Sequence, residues 1–367
     1  MPDDNLVYQI ALTLIPGVGD IMGRRLVSLC GSAAAVFLDP SRHLKKYPRI
    51  REFLAGAVAG RDILARAGEE VAFLEKFRIK SLFFRDRDYP HRLKNCHDAP
   101  VMLYYKGVAD LNAPRVIGIV GTRNATAYGK DVTRKFVEDL VDYNVLVVSG
   151  LAYGIDGCAH RQAVASGLAT VGVLGHGLDT IYPWAHKPLA EKMVTQGGLL
   201  TEFLSRTKPD RNNFPMRNRI IAGLCDAVVV VEAGVTGGAL ITAEIANTYN
   251  RDVFAVPGRV TDPVSEGTNT LIRTNRAALI QKAGDIAYLM GWNDEGKPVF
   301  APQKKIFIEL TREEERIVEL LRPEGTLGID ELSVRLDIPM SRVSASLLNL
   351  EFEGVVKCLP GKRYSLL

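Results

Sequence analysis

Apolar residues run almost unbroken at four places in the middle of the chain, and each run stops at a polar or glycine turn before helical spacing resumes. Arg115-Val-Ile-Gly-Ile-Val120 breaks at Gly121-Thr-Arg123 and continues as a helix-like segment from about Tyr128 to Tyr143. Val145-Leu-Val-Val-Ser149 stops at Gly150, Thr170-Val-Gly-Val-Leu174 at Gly175, and Ala227-Val-Val-Val-Val231 ahead of Gly234. Strands buried on both faces lose the polar alternation of a half-exposed sheet. Such runs alternating with helices therefore predict an α/β fold, a Rossmann-like parallel sheet covered on both sides. Ligands of such sheets sit beyond the carboxyl ends of the strands, where glycine turns and helix N-termini turn amides toward anions.

Ahead of this core, apolar residues at helical spacing flank Leu14-Ile-Pro-Gly-Val-Gly-Asp-Ile-Met-Gly-Arg-Arg-Leu26, which resembles a helix-hairpin-helix. Two readings stand side by side: the turn offers amides to a DNA phosphate with Arg24 and Arg25 in support, or it only packs a small helical bundle. From about Leu44 to Asp110 the pattern is helical and then irregular. Arg85-Asp-Arg-Asp88 reads as a solvated turn, and Ala99-Pro-Val-Met-Leu-Tyr-Tyr-Lys-Gly107 ends in an edge strand leading into the core. After Gly291, mixed charge with Gly296, Pro298 and Pro302 reads as a linker to about Lys305. Three helical patterns follow, Arg312 to Leu321, Asp330 to Leu336 and Ser341 to Glu353. A hairpin from Val355 to Tyr364 around Pro360-Gly361 completes a winged helix. The expected division is a helical helix-hairpin-helix or SAM-like domain with its connector over 1–110, the core over 111–291, a linker over 292–305 and the winged helix over 306–367.

A chain of 367 residues is long for one core, in keeping with this division, and 47% hydrophobic with 24% charged residues is ordinary for a globular protein. No run approaches the roughly 20 apolar residues of a membrane span. Met1-Pro-Asp-Asp-Asn5 lacks the basic start of a signal peptide, so a cytoplasmic protein without a membrane partner is expected. Cys30, Cys96, Cys158, Cys225 and Cys358 form no CxxC pair and suit reduced thiols better than bridges or zinc; no metal and no cofactor are expected. Charge is nearly even by region. Residues 1–110 hold 17 Lys and Arg against 13 Asp and Glu, residues 111–291 hold 18 against 16, and residues 292–367 hold 11 against 13. Any nucleic-acid site is then a local patch.

The turn after the first core strand, Gly118-Ile-Val-Gly-Thr-Arg123, is not the G-x-G-x-x-G of a dinucleotide site, and the second strand closes with Ser149-Gly150 in place of an acid for a ribose. Arg123 beside the amides of Gly121 and Thr122 suggests an extended phosphate chain instead. In Ser149-Gly-Leu-Ala-Tyr-Gly-Ile-Asp156, Asp156 is expected to cap the next helix, His160 to be structural, and Asp179 of Gly175-His-Gly177-Leu-Asp179 to tie its loop. The run Asn213-Phe-Pro-Met-Arg-Asn-Arg-Ile-Ile-Ala-Gly-Leu224 offers Phe214 as a stacking face and Pro215 as a turn before a helix. Arg217, Asn218 and Arg219 fall in the first turns, and Arg206, Lys208 and Arg211 lie just upstream. Aromatic platforms beside cationic grooves hold single strands, and stacking is worth ~1–3 kcal/mol per base. Thr236, Gly237 and Gly238 read as a phosphate-binding helix N-terminus.

The ordered set Val120-Gly-Thr-Arg123, Ser149-Gly-Leu-Ala-x-Gly-Ile-Asp156, Gly175-x-Gly-Leu-Asp179, Phe214-Pro-x-Arg-Asn-Arg-Ile-Ile-Ala-Gly223 and Val253-Phe-Ala-Val-Pro-Gly258 resembles the DNA-processing protein A family, also called DprA or Smf. The resemblance covers roughly residues 115–290. It implies an extended Rossmann fold that dimerises, binds single-stranded DNA and loads the RecA recombinase in natural transformation. The DNA-binding residues expected are Gly121, Thr122, Arg123, Ser149, Gly150, Gly177, Arg211, Phe214, Arg217, Asn218, Arg219, Thr236, Gly237 and Gly238, with no catalytic residue. Two places depart from the family pattern: Asn250-Arg251 stands for Gly-Arg, and Asn275-Arg276-Ala277 for Gly-Ala. Asn tolerates positive φ, which keeps the first turn plausible. The enzyme alternative rests on Gly234-Val-Thr-Gly-Gly-Ala-Leu-Ile-Thr-Ala-Glu244, which loosely resembles the glycine-rich loop and glutamate of nucleotide phosphoribohydrolases of the lysine-decarboxylase-like group. That loop's proline is missing here, and Glu244 is expected to pack or pair.

Overall fold

The structure is a computed structural model that describes residues 4–58, 62–292, 310–359 and 361–367. Its centre is a nine-stranded sheet made of β1 (Lys80–Phe83), β2 (Met102–Gly107), β3 (Val116–Val120), β4 (Leu146–Ser149), β5 (Thr170–Val173), β6 (Gly198–Thr201), β7 (Ala227–Val230), β8 (Asp252–Ala255) and β9 (Ala278–Leu279). In space the order is β1-β2-β6-β5-β4-β3-β7-β8-β9, and every pairing from β6 to β9 is parallel. The chain builds outward from β3 through β4, β5 and β6, then returns to lay β7 on the other side of β3. That reversal is the topological switch point.

Both faces of the parallel part are covered, which is why its strands read as apolar runs. One face packs Phe136 and Val137 of the helix Ala127–Asp139, Ile155 and Ala159 of Ile155–Ala165, and Ile286 of Ala283–Leu289 against Ile117, Val147 and Val229. The other packs Ile220 and Ile221 of the helix Asn213–Leu224 and Ala239 and Ala243 of Gly238–Thr248 against Val120, Val148 and Val228. Gly118 makes this close approach possible, because a Cβ there would stand 3.1 Å from the Cys225 sulfur. Four of the cysteines are buried thiols and Cys358 is exposed.

The segment expected to end in an edge strand takes a different place. β2 pairs antiparallel with β6 on one side and with β1 on the other, so β1 is the edge and the sheet is mixed. Antiparallel pairing over Tyr104↔Thr201 and Lys80↔Tyr105 buries Met102, Leu103, Tyr104 and Tyr105 between layers. The helices of the N-terminal segment share one apolar cluster with this face of the sheet.

The Pro-Gly-x-Gly turn joins the helices Asp4–Leu14 and Asp20–Cys30, with Pro16, Gly17 and Gly19 exposed and Val18 buried. Asp20 accepts the amide of Val101 at 2.8 Å and pairs with Arg219 at 2.9 Å. Arg24 donates to the carbonyls of Cys96 and Lys94 and lies 5.5 Å from the centre of the Phe84 ring. Asp20 and Arg24 thus serve packing, while the turn glycines and Arg25 stay exposed.

The C-terminal unit has helices Arg312–Glu324, Ile329–Leu336 and Met340–Phe352 and a three-stranded sheet of β10 (Thr326–Gly328), β11 (Val356–Leu359) and β12 (Arg363–Leu366), in the order β10-β12-β11. This is a winged helix. β10, absent from the sequence expectation, is a three-residue strand too short to leave a pattern. The wing rests on the core: the Gly361 amide donates to Asp252 at 3.1 Å and Lys362 Nζ to Asn250 Oδ1 at 3.2 Å. The expected linker lies almost wholly outside the described residues, as does Pro360 of the hairpin.

Candidate functional site

A cleft of about 620 Å³ opens beyond the carboxyl ends of β3 and β7, at the switch point, where diverging crossovers leave a gap between strands. Its lining brings together Gly121, Thr122, Arg123, Arg211, Phe214, Arg217, Asn218, Thr236, Gly237 and Gly238, ten of the residues singled out from sequence. Three arginines among these face a single carboxylate, Asp156, so the cleft favours anions.

The turn after β3 is braced from behind. Thr122 donates its amide to the Glu232 carbonyl at 2.7 Å, and the buried Glu232 carboxylate accepts the amide and the hydroxyl of Thr126. A Cβ on Gly121 would stand 2.4 Å from the Ile155 side chain, so only glycine lets this turn sit against the following helix. Arg123 is left exposed at the rim, its guanidinium 5.3 Å from the centre of the Phe214 ring. Tyr182 packs on the same ring with centres 6.0 Å apart. Across the cleft, the helix Gly238–Thr248 begins with no side chain capping it, and Gly237 adopts φ 157°. Its first amides therefore face the cleft, where the helix dipole adds to their pull on an anion.

Phe214 is carried by the helix Asn213–Leu224, which starts earlier than the sequence suggests: Pro215 lies inside the first turn and not ahead of it. A proline lacking an N–H costs nothing there, because the first amides of a helix have no partner in it. The arginines of this helix divide. Arg217 is 4% exposed, and its guanidinium donates to the carbonyls of Gly150 and Val173 and to Asn218 Oδ1. Burial lowers its pKa to about 10, opposed by Asp156. Arg217 lies under Phe214, 5.9 Å from the centre of its ring, with Nε and Nη1 already given to protein oxygens. Arg219 faces the other way. It pairs with Glu202 and Asp20 at the junction with the N-terminal helices and has no part in the cleft lining.

Burial raises the pKa of Asp156, opposed chiefly by Arg217 and then by the Ala152 amide, the Ser149 side chain and the Gly150 amide. It lies in the first turn of the helix Ile155–Ala165, whose N-cap is Gly154, so the capping role expected of Asp156 is not the one it has. His160 is fully buried, 2.7 Å from the Thr170 hydroxyl, and burial brings its pKa down to about 3. It is a neutral packing group.

The remaining predicted residues lie beside the cleft and not in it. Ser149 is buried and donates to the Ile119 carbonyl, while Gly150 sits against the Arg217 guanidinium, where a Cβ would collide. Gly177 is buried against Asp179 and Leu204. Sequence reasoning missed Tyr182 and Glu232. Tyr182 lies just past the loop tied by Asp179, and neither it nor the acid directly after the β7 run carries a motif of its own. Glu244 is exposed, pairs with Arg276 at 3.4 Å and does not line the cleft. Among the described residues no group of His, Cys, Asp and Glu is arranged to hold a metal, and no helix is long and apolar enough to cross a membrane.

Comparison with known proteins adds to this geometry. A family model described as DNA recombination-mediator protein A matches residues 80–291, and one described as the DprA winged helix domain matches residues 302–362. The sequence is 39% identical over 278 residues to a putative DNA processing protein DprA of Mycobacterium tuberculosis, spanning 74% of this chain and 70% of that one. It is 36% identical over 407 residues to the Smf protein of Synechocystis, spanning 99% of each. Among solved structures, DNA processing protein A from Streptococcus pneumoniae superimposes with a TM-score of 0.61 at 31% identity, over 77% of this chain and 97% of that one. DNA processing protein A from Helicobacter pylori, studied for its single-stranded DNA binding mode, gives 0.54 at 27% identity, over 59% and 97%.

Proposed function

This chain belongs to the DNA recombination-mediator protein A family, and on that premise we propose that it binds single-stranded DNA in the core cleft and loads RecA onto incoming DNA during natural transformation. One observation carries the DNA reading. Phe214, Arg123 and the uncapped N-terminus of the helix Gly238–Thr248 meet in one cleft at the switch point. The ring presents the same stacking face to every base while the cation and the amides take phosphates, which suits a single strand bound without sequence preference. A duplex keeps its bases stacked inside and leaves Phe214 without a partner. The Helicobacter relative supports the same choice of ligand.

The protein acts in this reading as a binding module and not as an enzyme. The phosphoribohydrolase alternative needs its glutamate in the cleft, and Glu244 is outside, paired with Arg276. Asp156, the carboxylate that does line the cleft, is tied to Arg217 and to backbone amides. A second copy of the chain and RecA are the protein partners, in the cytoplasm. An open apolar edge supports them: Leu279 of β9 and Tyr288 and Leu289 of the helix that follows are exposed. The division at residues 110, 291 and 305 belongs to the same proposal, with β1 and β2 joined to the core sheet.

The test is a titration of labelled single- and double-stranded oligonucleotides at several salt concentrations, run beside an AMP-hydrolysis assay. Tighter single-strand binding that weakens as salt rises, with no turnover, is expected. Equal affinity for both forms, or turnover abolished by Glu244→Gln, overturns the reading.

A further inference from the structure

Beyond the cleft rim, the loops that follow β4 and β5 carry three aromatic side chains to the surface: Tyr153, Tyr182 and Trp184, 49%, 48% and 69% exposed. Single exposed rings are ordinary, but these are grouped. Tyr182 belongs to the cleft wall and packs on Phe214. Tyr153, Tyr182, Pro183 and Phe214 line a second, small hollow of about 30 Å³ that shares Arg123 with the cleft.

The two loops are tethered to each other. His186 is buried two residues beyond Trp184, with Nδ1 2.9 Å from the Leu151 carbonyl and its ring 5.3 Å from that of Tyr153. A Cβ on Gly157 would stand 2.6 Å from the same imidazole, so the helix behind it closes in as well. The two loops are therefore joined before any ligand arrives, which lowers the ordering cost of binding. The Lys187 ammonium sits 4.6 Å over the Trp184 ring, pairing a phosphate-seeking charge with the widest π face on the ledge.

We propose that this ledge is a second nucleotide subsite, onto which the strand leaving Phe214 passes over Tyr182, with Trp184 stacking a base beside Tyr153 and Lys187 holding the adjoining phosphate. The inference rests on the single-strand reading of the cleft and lengthens the site. Alternating rings and cations are the means by which single strands are tracked without sequence readout. The ledge continues the wall of the anion-favouring cleft, so its occupant is the same strand.

The full chain is titrated with oligothymidylates of about 5 and about 20 nucleotides, lengths that bracket the cleft alone and the cleft with the ledge. Trp184→Ala is expected to leave the short oligomer unchanged and to weaken the long one roughly 5- to 10-fold, with Trp184→Phe recovering most of the loss. Lys187→Ala is expected to lower the salt slope for the long oligomer by about one. In a Trp292→Phe background, which leaves Trp184 as the sole indole, emission should be quenched by the long oligomer and not by the short one. Failure of the unaltered protein to bind either oligomer sinks the cleft reading and the ledge with it. Binding of both, with long-oligomer affinity and emission unmoved at Trp184, overturns the ledge alone. So does a change of oligomeric state in Trp184→Ala without loss of affinity, which would assign these rings to a second copy.

Discussion

The guanidinium of Arg123 lies 5.3 Å from the centre of the Phe214 ring, and this contact joins the turn after β3 to the helix that begins at Asn213. A stacking face and a phosphate-seeking charge thereby occupy one rim, although they come from opposite sides of the chain reversal that makes the cleft.

Their contributions separate by salt dependence. A phosphate contact releases counterions and a stacked base does not. Arg123→Ala is expected to weaken single-strand binding for every sequence and to lower the slope of log affinity against log salt by about one unit or less. Phe214→Ala should cost ~1–3 kcal/mol with the slope unaltered. Anisotropy titrations across a salt series check both, and a slope unmoved in Arg123→Ala would remove that arginine from the phosphate contacts.

Arg217 calls for a different measurement. Its guanidinium is enclosed, with Gly150 and Val173 carbonyls as acceptors and Asp156 as its counter-charge. Truncation removes the counter-charge of Asp156 and leaves the buried Gly150 and Val173 carbonyls without this donor, at a cost of about 1–3 kcal/mol for each buried group left unsatisfied. Arg217→Ala should therefore lower the urea midpoint markedly, and Arg217→Lys should rescue it only in part because an ammonium cannot reproduce the planar fork. An Arg217→Ala protein of normal stability, with a lowered salt slope, would return this residue to direct DNA contact.

Arg217 also marks where the sequence stops being readable. The central sheet, the turn at Gly121 and the helix N-terminus at Gly238 were legible because buried strands and glycine turns leave local patterns. The fate of an arginine did not, since Arg123, Arg217 and Arg219 differ only in what the fold brings opposite them. Arg219 meets Asp20, 199 positions away in the chain, and no local pattern records that pairing. β1 was not anticipated and β2 was placed at the edge for a related reason: an apolar strand at the edge and one inside a mixed sheet read alike until the partner strand is known. Asn250 and Asn275 do adopt positive φ, 55° each, which the tolerance of Asn for that region anticipated for the first of them.

The junction around Arg219 sets a pH dependence. Glu202 is 9% exposed, and burial pushes its pKa up to about 7, with Arg219 opposing and Asp20 adding to the rise. Between the ordinary carboxyl value and about 7, the folded chain holds a proton here that the unfolded chain has released. Stability from this group is therefore present below that window and lost as pH rises through it, by up to about 3 kcal/mol. Urea unfolding between pH 5 and pH 8 should show the decline, and Glu202→Gln should flatten it. An equally steep decline in Glu202→Gln would place its source elsewhere.

The winged helix invites the expectation that its third helix reads duplex DNA in the major groove. Its charges and its position argue otherwise. In the helix Met340–Phe352 the single arginine, Arg342, is paired with Glu313, while Leu348 and Phe352 are exposed. An apolar surface with its cation already neutralised suits a protein partner better than phosphates. The wing, which holds Lys362 and Arg363, is turned onto the core, where Lys362 donates to Asn250 and the Gly361 amide to Asp252. Asn250 lies just past the C-terminal end of the helix Gly238–Thr248, whose N-terminus faces the cleft, so at 1.5 Å per residue roughly 16 Å of helix separates the wing from the cleft. A chain ending at Gly291 should consequently keep its single-strand affinity within about threefold, a difference under roughly 1 kcal/mol. A loss greater than about tenfold, or about 1.4 kcal/mol, in a folded truncation of unchanged oligomeric state would make the winged helix part of the DNA site.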